Sequence, residues 1–305
     1  MESLIMDKQE LWVLDGGMGR ELASRGAPFR QPEWSALALI EAPQTVAQVH
    51  RAYVDSGARV ITTNSYALVP FHIGAERFAV EGETLAALAS KLARDVADEQ
   101  GSSVLVAGSL PPLFGSYRAD LFDADKVSEL ATPLIRAMSP NVDLWLIETV
   151  SLIAEPLAIK RLLPNDGKPF WVAFTLEDEI VTNEPRLRSG ESVVYAIERL
   201  IEVGVDAILF NCCQPEVIEA ALKVASDCLD KLGRNDIRLG AYANAFPPQA
   251  KDATANDGLD EIRNDLGPLD YLTWAERWRA VGASLIGGCC GIGPEHIEAL
   301  THRLR

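Results

Sequence analysis

At 305 residues, 48% of them hydrophobic, the chain is long enough for one large α/β domain and apolar enough to bury a sizeable core, which excludes a disordered protein. Its formal net charge of −16 offers phosphates no basic face and excludes nucleic acid as a partner. No run of about eighteen apolar residues is present, so no membrane span is expected. The opening MESLIMDKQE has no basic segment leading into an apolar run, so the chain reads as cytoplasmic.

Short apolar runs bounded by turn residues mark the strands. In chain order they are LWVLDGG (11–17), VITTNS (60–65), VLVAGSL (104–110), LWLIET (144–149), FWVAFTL (170–176), AILFNCC (207–213), RLGAYANA (238–245) and SLIGGCC (284–290). Amphipathic stretches lie between them, among them ETLAALASKLARDVADEQG (83–101) and ESVVYAIERLIEVG (191–204), the second stopped by Gly204. Continuous apolar runs suit parallel strands covered on both faces. Eight βα units at this length predict a single-domain (β/α)8 TIM barrel spanning residues 1–305. A doubly wound sheet is the rival, but DGGMGREL (15–22) lacks the glycine spacing of its phosphate turn. The polar segments EDEIVTNEPRLRSG (177–190) and PPQAKDATANDGLDEIRNDLG (247–267) read as loops after the fifth and seventh strands.

Barrel chemistry sits at the C-terminal ends of the strands. Those ends carry Asp15, Thr63 and Asn64, Ser109, Glu148, Thr175, Asn211 with Cys212 and Cys213, Tyr242 and Asn244, and Cys289 with Cys290. Five cysteines in a reducing compartment argue against a disulfide framework and towards metal binding or catalysis. Thiolates from the sixth and eighth strand ends can meet across the mouth, and soft sulfur selects zinc over magnesium or calcium. Three protein ligands would leave one tetrahedral position open, the catalytic arrangement. Any one cysteine alone reads first as a small buried hydrophobe, as Cys228 does in its helical stretch. A thiol redox pair, and a barrel that cradles phosphate on Gly287 and Gly288, are further readings of the same residues.

The segments DGGMGREL, ITTNSY (61–66), IETV (147–150), FNC (210–212) and GGCCGIGPEHI (287–297) together resemble the homocysteine S-methyltransferase family, over nearly the whole chain. That family comprises zinc enzymes on a TIM barrel, including S-methylmethionine- and betaine-dependent members and the homocysteine module of methionine synthase. The resemblance implies Zn²⁺ held by Cys212, Cys289 and Cys290, with Cys213 outside the ligand set. It implies homocysteine bound through its ammonium by Asp15 and Glu148, with Thr63, Asn64 and Asn211 as further substrate contacts. It also implies a methylated onium donor, S-methylmethionine or S-adenosylmethionine before betaine. Trp34, Tyr66, Phe114 and Tyr117 are the wall residues that sequence position suggests for such a cation. The chain departs from the family at GSLPPLFGSYRADLF (108–122) and YANAF (242–246), both on the donor side. Another thiol acceptor, another onium donor and a catalytically silent zinc barrel stay open at this point.

Overall fold

All eight apolar runs form strands: β1 (Trp12–Val13), β2 (Val60–Thr62), β3 (Leu105–Leu110), β4 (Leu144–Val150), β5 (Phe170–Phe174), β6 (Ala207–Asn211), β7 (Arg238–Tyr242) and β8 (Ala283–Ile286). The computed structural model describes residues 10–250, 253–256, 258 and 260–304. Residues 1–9, on which the expectation of no secretory signal rests, lie outside the described residues. Every pairing is parallel, in the order β1-β8-β7-β6-β5-β4-β3-β2, and a parallel bridge between Leu14 and Val60 joins the two outer strands. The sheet is therefore wound into the expected (β/α)8 barrel.

The helices are α1 (Met18–Ser24), α2 (Ser35–Glu41), α3 (Pro43–Asp55), α4 (Pro70–Ile73), α5 (Ala75–Asp98) and α6 (Val127–Met138). After them come α7 (Ala154–Lys160), α8 (Val193–Glu202), α9 (Pro215–Lys231), α10 (Pro268–Ala280) and α11 (Pro294–Leu304). Proline opens α3, α4, α9 and α10, where its missing N–H costs no helical hydrogen bond. Ser192 caps α8 by accepting from the Tyr195 N–H, and Gly204, at φ +76°, ends that turn as the sequence predicts. α5 buries Phe78, Leu85, Ala86, Ala89, Ala93 and Val96 along one stripe, the helical period the sequence shows. No helix among the described residues is long and apolar enough to cross a membrane.

Period-two alternation sorts each strand between two cores. Ile61, Val106, Trp145, Ile147, Val172, Phe210 and Ile286 face the helices. Trp12, Leu14, Val60, Leu144, Leu146, Trp171 and Leu285 fill the barrel interior. The interior rows run upward into polar residues. Val60 leads to Thr62 and Leu146 to Glu148, which the fold aims into the mouth, while Ala107 leads to Ser109 and Leu209 to Asn211, which bond to Glu148 and Thr149 of β4.

Two glycines let β1 and β8 meet at that mouth. A Cβ on Gly17 would stand 2.5 Å from the Cys289 carbonyl oxygen, and one on Gly287 would stand 2.6 Å from Leu14 Cβ. No side chain fits at either position without moving backbone that carries the cysteines.

Candidate metal centre and substrate cavity

The Sγ atoms of Cys212, Cys289 and Cys290 all lie within 4.8 Å of one another. Among the described residues they form the one group of three or more His, Cys, Asp or Glu side chains close enough to hold a metal ion. Cys212 follows β6 and has φ +52°, a left-handed conformation that turns its side chain off the strand. The three thiols cannot shed their protons together. Hydrogen bonds from Cys212 and Cys289 hold the Cys290 thiol well below its ordinary value. Hydrogen bonds with Cys212 and Cys290, then burial and their neighbouring charge, push Cys289 well above its own. Cys213 faces the outer core, fully buried, and Cys228 is buried on α9, so neither joins the cluster.

All three cysteines open onto a cavity of about 360 Å³ at the barrel mouth, which Asp15 and Glu148 also line. Asp15 accepts from the Thr62 N–H at 2.7 Å and from the Thr62 hydroxyl at 3.1 Å. Glu148 accepts from the Ser109 hydroxyl and, at 3.2 Å, from the Tyr242 hydroxyl. Neither acid forms a salt bridge with a basic side chain among the described residues. Burial pushes each carboxyl up to about 7, against ordinary values of 3.8 and 4.5. Both acids thus share one cavity with the three sulfurs.

The other expected contacts divide. Thr63 and Asn64 line the cavity. The Thr63 hydroxyl is engaged by the Ser109 N–H at 2.9 Å and by Ser65 at 2.8 Å. The Asn64 amide donates to the Ser35 carbonyl at 3.2 Å, and its Oδ1 is buried without a hydrogen bond. Asn211, expected as a substrate contact, is turned to Thr149. Its Oδ1 accepts from the Thr149 N–H at 3.0 Å, its Nδ2 donates to the Thr149 hydroxyl at 2.8 Å, and it lies outside the cavity lining. It clamps β4 to β6 instead. Phe114 is also displaced from its suggested place: it packs edge-on against Phe122, 5.7 Å between ring centres, while Trp34, Tyr66 and Tyr117 do line the cavity.

Several cavity residues carry no signal at a strand end. Phe29, Trp171 and Phe246 extend the aromatic wall, and Arg20 and His72 also line the cavity. Burial holds the His72 ring down at about 4, so it faces the cavity neutral. Thr62 is legible in retrospect, since it shares the inner face of β2 with Val60, whereas Thr63 lies past the strand end.

Comparison with known proteins agrees with this geometry. The family model described as homocysteine S-methyltransferase matches residues 12–304. Homocysteine S-methyltransferase 1 of Zea mays is 30% identical over 336 aligned positions, covering 100% of this chain and 98% of that protein. Homocysteine S-methyltransferase of Escherichia coli K12 is 29% identical, covering 98% of this chain and 97% of its own length. The metallated form of the Escherichia coli homocysteine methyltransferase MmuM superposes with a TM-score of 0.78 at 28% identity, covering 99% of each chain. With end-to-end agreement in sequence and in fold, this chain belongs to the homocysteine S-methyltransferase family.

Proposed function

We propose that this chain transfers a methyl group from a small onium donor, a sulfonium such as S-methylmethionine or S-adenosylmethionine, to the sulfur of homocysteine. Methionine is the product. Cys212, Cys289 and Cys290 would hold Zn²⁺, and Asp15 and Glu148 the substrate ammonium. The observation that carries the reading is the juxtaposition, in one cavity, of three clustered cysteine sulfurs and two buried acids without a basic partner among the described residues.

The donor set suits the metal. Zinc–sulfur bonds of about 2.3 Å ask tetrahedral ligands to stand roughly 4 Å apart, which sulfurs within 4.8 Å of one another can meet. A divalent cation also relieves the repulsion that keeps the three thiols from ionising together. When bound, zinc would supply a substrate sulfur that stays deprotonated and nucleophilic at neutral pH.

The chain's own residues do the rest. Asp15 and Glu148 anchor the ammonium, and Thr62, Ser109 and Tyr242 fix their carboxylates, so the thiol is presented in one orientation. The aromatic wall shelters a cation without demanding hydrogen bonds from it. As the new C–S bond forms, the donor's C–S bond breaks and its electron pair stays on the donor sulfur. The donor leaves as a neutral thioether, and the thiol proton has already gone to solvent. No general base is required in the transfer step.

A donor panel tests this. With homocysteine and zinc-loaded protein, S-methylmethionine or S-adenosylmethionine should give methionine and betaine little or none. Methionine formed from betaine alone would overturn the sulfonium assignment.

A further inference from the structure

Cys212 has a hydrogen-bond partner whose hydroxyl the proposed chemistry leaves unused. Tyr117, in the segment between β3 and α6, places its hydroxyl 3.0 Å from Cys212 Sγ and 3.1 Å from the Cys212 carbonyl oxygen. Tyr117 itself sits at φ +70°, so two residues in left-handed backbone conformations meet through one phenol. Thr175 donates to the same carbonyl at 3.3 Å.

The ring is braced from behind. The Arg188 guanidinium lies 4.5 Å from the Tyr117 ring centre. Arg188 donates to the Gln249 carbonyl at 3.1 Å and to the Ala250 carbonyl at 2.5 Å, and pairs with Asp178 at 3.3 Å, both side chains fully buried. Asp178 in turn accepts from the backbone N–H of Gln214, at 3.3 Å, and of Gln249, at 3.1 Å. The loops after β5, β6 and β7 thus converge on the Arg188–Asp178 pair, whose guanidinium carbon lies over the Tyr117 ring.

We propose that Tyr117, braced by Arg188, is the positioning residue for Cys212: its hydroxyl steers the sulfur towards Cys289 and Cys290 and draws negative charge from it. A thiolate ligand has no proton of its own, so in that state the phenol is the donor. A hydrogen bond to an ionised sulfur is charge-assisted and stronger than a neutral one. Charge drawn from Cys212 leaves the substrate sulfur the more electron-rich of the two, which favours methylation of substrate over protein. The inference rests on the metal reading given above and deepens it, because it gives Tyr117 a role at Cys212 besides its place in the cavity wall.

Tyr117→Phe tests it, since the ring and its stacking on Arg188 survive and only the hydroxyl goes. Chelator competition should show zinc held roughly tenfold more weakly than in the parent chain. With cobalt(II) as the probe ion, the thiolate-to-metal charge-transfer band should move to lower energy, because the sulfur has lost a hydrogen bond. Tyr66→Phe is the control: its hydroxyl meets Ser116 Oγ at 2.6 Å, and its loss should leave the band in place. An unshifted band and unchanged zinc affinity in Tyr117→Phe, with the parent holding one zinc, overturn the positioning role alone. A parent chain that takes up no zinc overturns the metal reading and this role with it.

Discussion

Trp34, Tyr117, Thr149 and Cys212 are the non-glycine residues with positive φ among those described, and all four line the cavity. Each such residue costs on the order of 1–3 kcal/mol, and a β-branched threonine pays most dearly. The surroundings hold them there: Asn211 clamps Thr149 from both ends of its amide, and Tyr117 and Thr175 grip the Cys212 carbonyl. The two acids store tension of another kind. Burial raises the folded-state pKa of Asp15 and Glu148 above the unfolded one. Their contribution to stability is then full below the ordinary values of 3.8 and 4.5 and is lost as pH rises through about 7. Glu148→Gln should accordingly raise the thermal midpoint of the ligand-free protein, relative to the parent, more at pH 8 than at pH 5. An equal change at both values would contradict a buried acid that ionises near neutrality. The same substitution should weaken homocysteine binding at least tenfold while sparing a thiol that lacks the amino group, because a charge-assisted contact of about 1.5–3 kcal/mol is lost. Titration calorimetry with the two thiols separates these outcomes. In the parent chain, homocysteine affinity should fall as pH drops from 8 to 6, since protonated acids no longer neutralise its ammonium.

At the scale of elements, the pairing of β1 with β8 decides the cluster. Gly17→Ala puts a methyl group 2.5 Å from the Cys289 carbonyl, so the turn carrying Cys289 and Cys290 must move. Zinc content should drop well below one per chain, and the thermal midpoint should fall with it. Full zinc occupancy at unchanged stability would show that the close approach is not needed. The strands were legible because each is a continuous apolar run, and the rim acids because they end such runs. The cysteine set was legible because two Cys-Cys pairs end β6 and β8, though the choice among its four members came from family resemblance. What escaped the sequence depends on side-chain direction. Asn211 ends β6 beside the cluster, yet points across to Thr149 rather than into the cavity. Phe114 and Tyr117 lie three positions apart in one irregular segment, where neither a helical nor a strand period applies. One packs on Phe122 and the other reaches Cys212. Phe29 and Phe246 reach the cavity from loops, whose paths sequence periodicity does not encode.

Across the whole molecule, the barrel separates rigidity from chemistry. The interior is packed with Trp12, Leu144, Leu146, Trp171 and Leu285, while the polar inner positions above them converge on one mouth. Loops after β3, β5 and β7 complete that mouth, and Arg188 joins two of them under Tyr117. The chain's net charge of −16 sets a negative field that favours approach of a cationic donor. The measurement that tests the account most directly is methyl transfer itself. S-methylmethionine labelled in its methyl groups is incubated with homocysteine and the zinc-loaded chain, and the labelled products are identified by mass spectrometry. Labelled methionine is expected from the parent chain and from Cys228→Ser, and none above background from Cys289→Ala. Failure of every sulfonium and quaternary ammonium donor to methylate homocysteine, with zinc and homocysteine both bound, would contradict it.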